Sequence, residues 1–115
     1  MNVTIYHNPR CSKSRATLQL LKDRGVEPRV IPYLDEPPSE AELKDILGKL
    51  GRGPRELMRK GESEYRENGL DDPTLDDAAL IAAMVAHPRL IERPIVLASG
   101  KAAIGRPPES VLEIL

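Results

Sequence analysis

The sequence contains no phenylalanine and no tryptophan, and only three tyrosines, so its core must be built from Leu, Ile, Val, Ala and Met. It holds a single cysteine, Cys11, which excludes an internal disulfide framework and a cysteine-rich zinc site. Neither sign of charge dominates. With 17 basic and 18 acidic residues the net charge is −1, which gives no electrostatic reason to expect nucleic acid or a membrane as partner. No apolar run nears the roughly 18 residues of a membrane span. The opening "MNVTIYHN" has neither the basic nor the apolar part of a signal peptide, so the expectation is a cytoplasmic protein in a reducing compartment. The 115 residues, 40% of them apolar, suit one domain, residues 1–115.

Arginine is abundant: 11 of the 17 basic residues. Its planar fork of donors suits oxyanions, although a coding bias toward Arg, Ala, Gly and Pro would give the same count.

The β-branched stretch Val3–Tyr6 predicts a strand. A polar loop, "HNPRCS", leads into a helix with Ala16, Leu18, Leu20 and Leu21 facing inward and Gly25 as its stop. Arg29–Leu34 reads as a second strand, with Pro32 marking an edge, bulge or end. Ser39 and Glu42 form a potential capping box ahead of Leu43, Ile46, Leu47 and Leu50, the spacing of one buried helical face. "GPRELMRKG" predicts a short helix, "ESEYRENGLDDPTL" a loop with a helical turn, and "DDAALIAAMVAHP" a helix with Leu80, Ile81, Met84 and Val85 inward. Pro94–Ala98 and Lys101–Ile104, joined by Ser99–Gly100, predict a hairpin, and "RPPESVLEIL" a closing helix. This order predicts an α/β fold: a four-stranded mixed sheet with flanking helices and a helical insertion over about residues 39–88.

Cys11 falls at a strand-to-helix turn. Unpaired N–H groups and the helix dipole there favour thiolate over thiol, and Arg10, Lys13 and Arg15 add positive charge nearby. The thiol pKa is therefore expected below the free value of about 8.5, and the same groups attract an oxyanion. His7 either orients this loop and tunes Cys11, or is a strand-end residue without chemical duty. Asn8 and Pro9 read as architectural. Ser12 and Ser14 suit helix capping first, and donation to an anion or to the sulfur second. Ser14 stands where a C-x-x-C motif would need its second cysteine, and Thr17 where a C-x5-R phosphatase loop would need arginine. Cys11, His7 and His87 are too few and too poorly spaced for a metal. Arg93–Pro94, at the start of a strand, matches the place where thioredoxin-like folds carry a cis-proline against the active-site cysteine.

Taken together, "YHNPRCSKSR", "RELMRK", "LIERPIV" and "IGRPPE" resemble the glutaredoxin-dependent arsenate reductase family, of thioredoxin-like (glutaredoxin-like) fold, nearly end to end. The CSKS loop resembles an arsenate-reductase-like subgroup more than the CGTS of the best-known reductases. The resemblance implies that Cys11 is the catalytic nucleophile and that Arg59, Arg93 and Arg106 bind the oxyanion. His7, Asn8, Ser14 and Pro94 would be supporting residues. It implies reduction of arsenate to arsenite through a Cys11–arsenic adduct, resolved by glutathione as co-substrate and by glutaredoxin, in arsenical resistance. No metal or bound cofactor is implied, and a monomer is expected. Two alternatives stand beside it. One is a general glutaredoxin-like thiol oxidoreductase, which needs Cys11 but no arginine triplet. The other is an Spx-like regulator that binds RNA polymerase, a type that carries C-x-x-C. Glu92, His87, Tyr33 and Tyr65 read as surface, helix end or packing.

Overall fold

The structure, a computed structural model, describes residues 2–115. They form two compact units: residues up to Glu36 together with Arg93–Leu115, and Pro37–Glu92.

The first unit is a four-stranded mixed sheet in the order β2-β1-β3-β4, made of β1 (Val3–Tyr6), β2 (Arg29–Ile31), β3 (Ile95–Ala98) and β4 (Lys101–Ile104). This is the thioredoxin-like sheet the sequence implied. β1 pairs parallel with β2 and antiparallel with β3, and β3 pairs antiparallel with β4. Helix α1 (Ser12–Asp23) is the crossover between the parallel strands. The side-chain period of two puts Val3 and Ile5 on one face with Val96 and Ala98, where they pack with Leu21 of α1 and Val111 into an aliphatic core. Tyr6 and Ile95, of opposite phase, are buried as well.

β2 is shorter than its sequence predicted. It stops at Ile31, because Pro32 has no N–H for the ladder, and a turn follows in which Asp35 N–H donates to Pro32 O at 2.9 Å. The buried face of α1 also differs from expectation: Ala16 is exposed, and Ser14, Thr17 and Leu21 are buried. The closing segment, Pro108–Ile114, is a 3-10 helix rather than an α-helix. It is seven residues long and opens after a cis Arg106–Pro107 bond, and it buries Val111. The hairpin is as expected. Its turn residues, Ser99 and Gly100, have φ of 53° and 75°, the left-handed pair that matches the twist of two-residue hairpins.

The second unit is helical: α2 (Glu40–Leu50), α3 (Pro54–Leu57), α4 (Ser63–Glu67), α5 (Asp77–Ala86) and a 3-10 turn at Pro88–Leu90. The capping box of α2 forms as read, with Glu42 N–H donating to Ser39 Oγ and Ser39 N–H to Glu42 Oε1, and Gly51 closes the helix at φ 67°. Leu43, Ile46 and Leu47 of α2 are buried, as are Leu80, Ile81 and Met84 of α5, the helix it packs against. Val85 is only half-buried. The guanidinium of Arg55 donates to the carbonyls of Leu70 and Asp72.

Candidate active site

Three strand ends meet at one edge of the sheet. Tyr6 pairs with Ile95, and Ile95 with Ile104, so the next residues, His7, Pro94 and Gly105, leave the sheet side by side. His7 N–H still donates to Ile31 O at 2.9 Å. The loop after β1 then tightens. Cys11 N–H donates to Asn8 O at 3.0 Å, Arg10 N–H donates to Asn8 Oδ1 at 3.0 Å, and Arg15 Nη1 donates to Pro9 O at 2.9 Å. Asn8 and Pro9 thus accept hydrogen bonds from within their own loop and from the first turn of α1.

Cys11 is itself the N-cap residue of α1, with extended backbone and no side-chain cap bond. Its side chain is 8% exposed. Burial pushes the thiol pKa up, but opposing effects outweigh it and leave the pKa below its ordinary value. The backbone N–H of Ser14, the Arg93 charge, the backbone N–H of Lys13 and the Arg106 charge all favour the thiolate, in that order. Arg106 Nη2 lies 3.6 Å from Sγ. The charges favouring the thiolate therefore come from Arg93 and Arg106, some 80 to 95 positions away in sequence, whereas Lys13 acts through its amide and the Arg15 guanidinium is engaged with Pro9.

Both these arginines precede cis prolines, Pro94 and Pro107. They are also tied to each other, since Arg106 Nε donates to Arg93 O at 2.8 Å. The Nε and Nη1 atoms of Arg93 are buried.

Ser14 does not cap the helix. Its fully buried hydroxyl accepts from Asn8 N–H at 3.0 Å and lies 2.6 Å from His7 Nδ1. The hydroxyl keeps its own hydrogen and a second lone pair, so which of the two groups donates in this contact depends on the His7 tautomer. Burial first, then the Lys22 and Arg15 charges, push the His7 pKa below the ordinary 6.5. His7 meets the site through Ser14. Two residues were missed in the sequence: Thr17, buried beside this turn with its hydroxyl donating to Lys13 O, and Gly105. The Ser14–Thr17–Leu21 spacing is a helical face that apolar residues alone did not reveal.

Arg59 belongs to the helical unit. It follows α3, its N–H donates to Leu90 O at 2.7 Å, and its guanidinium pairs with Glu62 at 2.5 Å and Glu92 at 3.9 Å. Glu62 also pairs with Arg89. Among the described residues there is no cluster of three or more His, Cys, Asp or Glu that could hold a metal ion, and no helix long and apolar enough to cross a membrane.

The sequence profile described as the ArsC family matches residues 6–114. Over 114 residues the chain is 60% identical to the uncharacterized protein YfgD of Escherichia coli (strain K12), covering 98% of this chain and 96% of that protein. It is 55% identical to an arsenate reductase of Neisseria meningitidis (serogroup A), covering 98% and 97%. The solved structure of an arsenate reductase from Vibrio cholerae superposes with a TM-score of 0.97 at 56% identity, covering 100% of this chain and 98% of that one.

Proposed function

The chain belongs to the ArsC family, and on that premise we propose that it is an arsenate reductase working through the Cys11 thiolate. One observation carries this reading: the sulfur of the helix N-cap residue Cys11 lies 3.6 Å from the Arg106 guanidinium, which is itself tied to the Arg93 carbonyl. Such an arrangement lowers the thiol pKa and equally attracts a tetrahedral oxyanion to the nucleophile.

In the proposed reaction the Cys11 sulfur attacks arsenic. An S–As bond forms, an As–O bond breaks, and the oxygen leaves as water once protonated, with arsenic still pentavalent. Arg93 and Arg106 bind the oxyanion and stabilise the charge that develops as oxygen departs. Glutathione then attacks the Cys11 sulfur. An S–S bond forms, the S–As electron pair stays on arsenic, and As(III) is released as arsenite. Glutaredoxin reduces the mixed disulfide by thiol exchange and restores the thiolate. Two thiols are oxidised for each arsenate reduced, so one cysteine in the chain suffices. His7, Ser14, Asn8 and Pro94 hold the loop and the arginine segments in place. For Arg59 the support is the motif match alone. A thiolate that must be restored after each turnover fits a reducing compartment such as the cytoplasm.

The test is arsenite production by purified protein supplied with arsenate, glutathione, glutaredoxin and a regenerating system. Steady turnover that Cys11→Ser abolishes is expected. Reduction of glutathionylated substrates without any arsenite would replace this reading with general thiol reduction.

A further inference from the structure

Gly105 sits between β4 and Arg106, and its N–H donates to Pro94 O at 2.9 Å. It is buried, and a Cβ built on it would lie 2.8 Å from Pro94 Cγ and 3.0 Å from Thr17 Cγ2, with Thr17 Oγ1 nearer still. Neither neighbour yields easily. Pro94 is a ring in the chain. Thr17 is fully buried and β-branched, and its hydroxyl donates to Lys13 O at 2.8 Å, within the helical turn whose amides reach the Cys11 sulfur. At this one point three parts of the site touch: the first turns of α1, the Arg93–Pro94 segment and the Arg106–Pro107 segment.

We infer that Gly105 is a positioning residue, whose missing side chain sets the distance between α1 and the Arg106 segment so that the guanidinium reaches the Cys11 sulfur. The backbone of Gly105 does not demand glycine, because its φ lies outside the positive range. The requirement is contact distance alone. The reach it governs is narrow. Arg106 Nη2 stands 3.6 Å from Sγ, while its Nε is anchored on Arg93 O. An added methyl group must push α1 and this segment apart, and the thiolate then loses its arginine.

The test reads the thiolate directly and needs no arsenate, so it stands whether or not arsenate is the substrate. Iodoacetamide alkylation of Cys11 is followed against pH in Gly105→Ala, with circular dichroism as the check of folding. The expected result is a higher midpoint, with alkylation at a pH well below the parent midpoint slowed by several-fold and up to roughly tenfold, the loss one pKa unit gives there. Adding Thr17→Ala removes two of the three clashing atoms, so the double variant should recover most of the rate, measured against Thr17→Ala alone. A folded Gly105→Ala protein with the parent midpoint, or a double variant that recovers nothing, overturns the inference. Should Gly105→Ala not fold, Thr17→Ile presses on the same contact from the helix side, and an unchanged midpoint there overturns it equally.

Discussion

Replacing Ser14 by alanine separates two duties of one residue. The hydroxyl holds the loop, accepting from Asn8 N–H and meeting His7 Nδ1, while the backbone N–H of the same residue serves the Cys11 sulfur. Alanine removes the first duty and keeps the second. An amide left without its acceptor costs about 1–3 kcal/mol, and the lost bond to His7 a further ~1 kcal/mol. Asn8 and His7 are half-buried, so water recovers part of this and the low end governs. A loss of about 2 kcal/mol is a large share of the roughly 5–15 kcal/mol of a typical domain. For a chain of this size it corresponds to a melting temperature lower by ~8 °C. Thermal denaturation measures that fall, and alkylation against pH measures the thiol. The expected outcome is a clear drop in melting temperature with the thiol midpoint nearly unmoved. A melting temperature within ~2 °C of the parent would refute the stability estimate. A midpoint raised by about a full unit would show that the hydroxyl, not the amide, serves the sulfur.

Two further substitutions separate charge from shape. At 3.6 Å, the Arg106 charge is worth about 1 kcal/mol to the thiolate in a medium like water, the appropriate limit for an exposed guanidinium. Arg106→Gln should therefore raise the Cys11 pKa and slow alkylation by roughly sixfold at a pH well below the parent midpoint, with little change above the free-thiol value of about 8.5; a midpoint that stays put would remove Arg106 from the thiolate's field. Arg93→Lys keeps the charge and loses the planar fork, so the thiol midpoint should change little while the KM for arsenate rises by roughly tenfold, the worth of one charge-assisted hydrogen bond. Steady-state kinetics on the purified variant measures the second effect, and an unchanged KM would take Arg93 out of oxyanion binding.

Local order was plain in the sequence wherever neighbouring residues decide it. The Ser39–Glu42 box, the apolar face of α2 and the Ser99–Gly100 turn each depend on residues within one helical turn or one hairpin, and each formed as read except that Leu50, at the end of the α2 face, is half-buried. Pro32 left an edge, a bulge or a strand end open, and the strand stops one residue before it. The closing segment was harder, because its apolar spacing and leading prolines suit an α-helix and a 3-10 helix alike, and the structure has the latter. The cysteine loop shows the same divide. That the thiol would be activated followed from the helix terminus. Which cations act on it did not, since Arg10, Lys13 and Arg15 are near in sequence, while Arg93 and Arg106 arrive through the register of β1, β3 and β4. Ser14 and Thr17 were obscured for a related reason. Burial of a hydroxyl leaves no apolar signature, and its partners, His7 Nδ1 for one and Lys13 O for the other, are visible only once the turn is closed.

The sheet gives the molecule a working end and a blank end. His7, Pro94 and Gly105 leave it beside Cys11, whereas the Ser99–Gly100 turn joins β3 to β4 at the far end of the same strands, four residues from Ile95 and Ile104. A tether attached at that turn, to a bead, an electrode or a fluorophore, would hold the sheet by the end opposite the cysteine. The short hairpin is thus the natural handle for turning this chain into an immobilised sensor of whatever oxyanion its cysteine accepts.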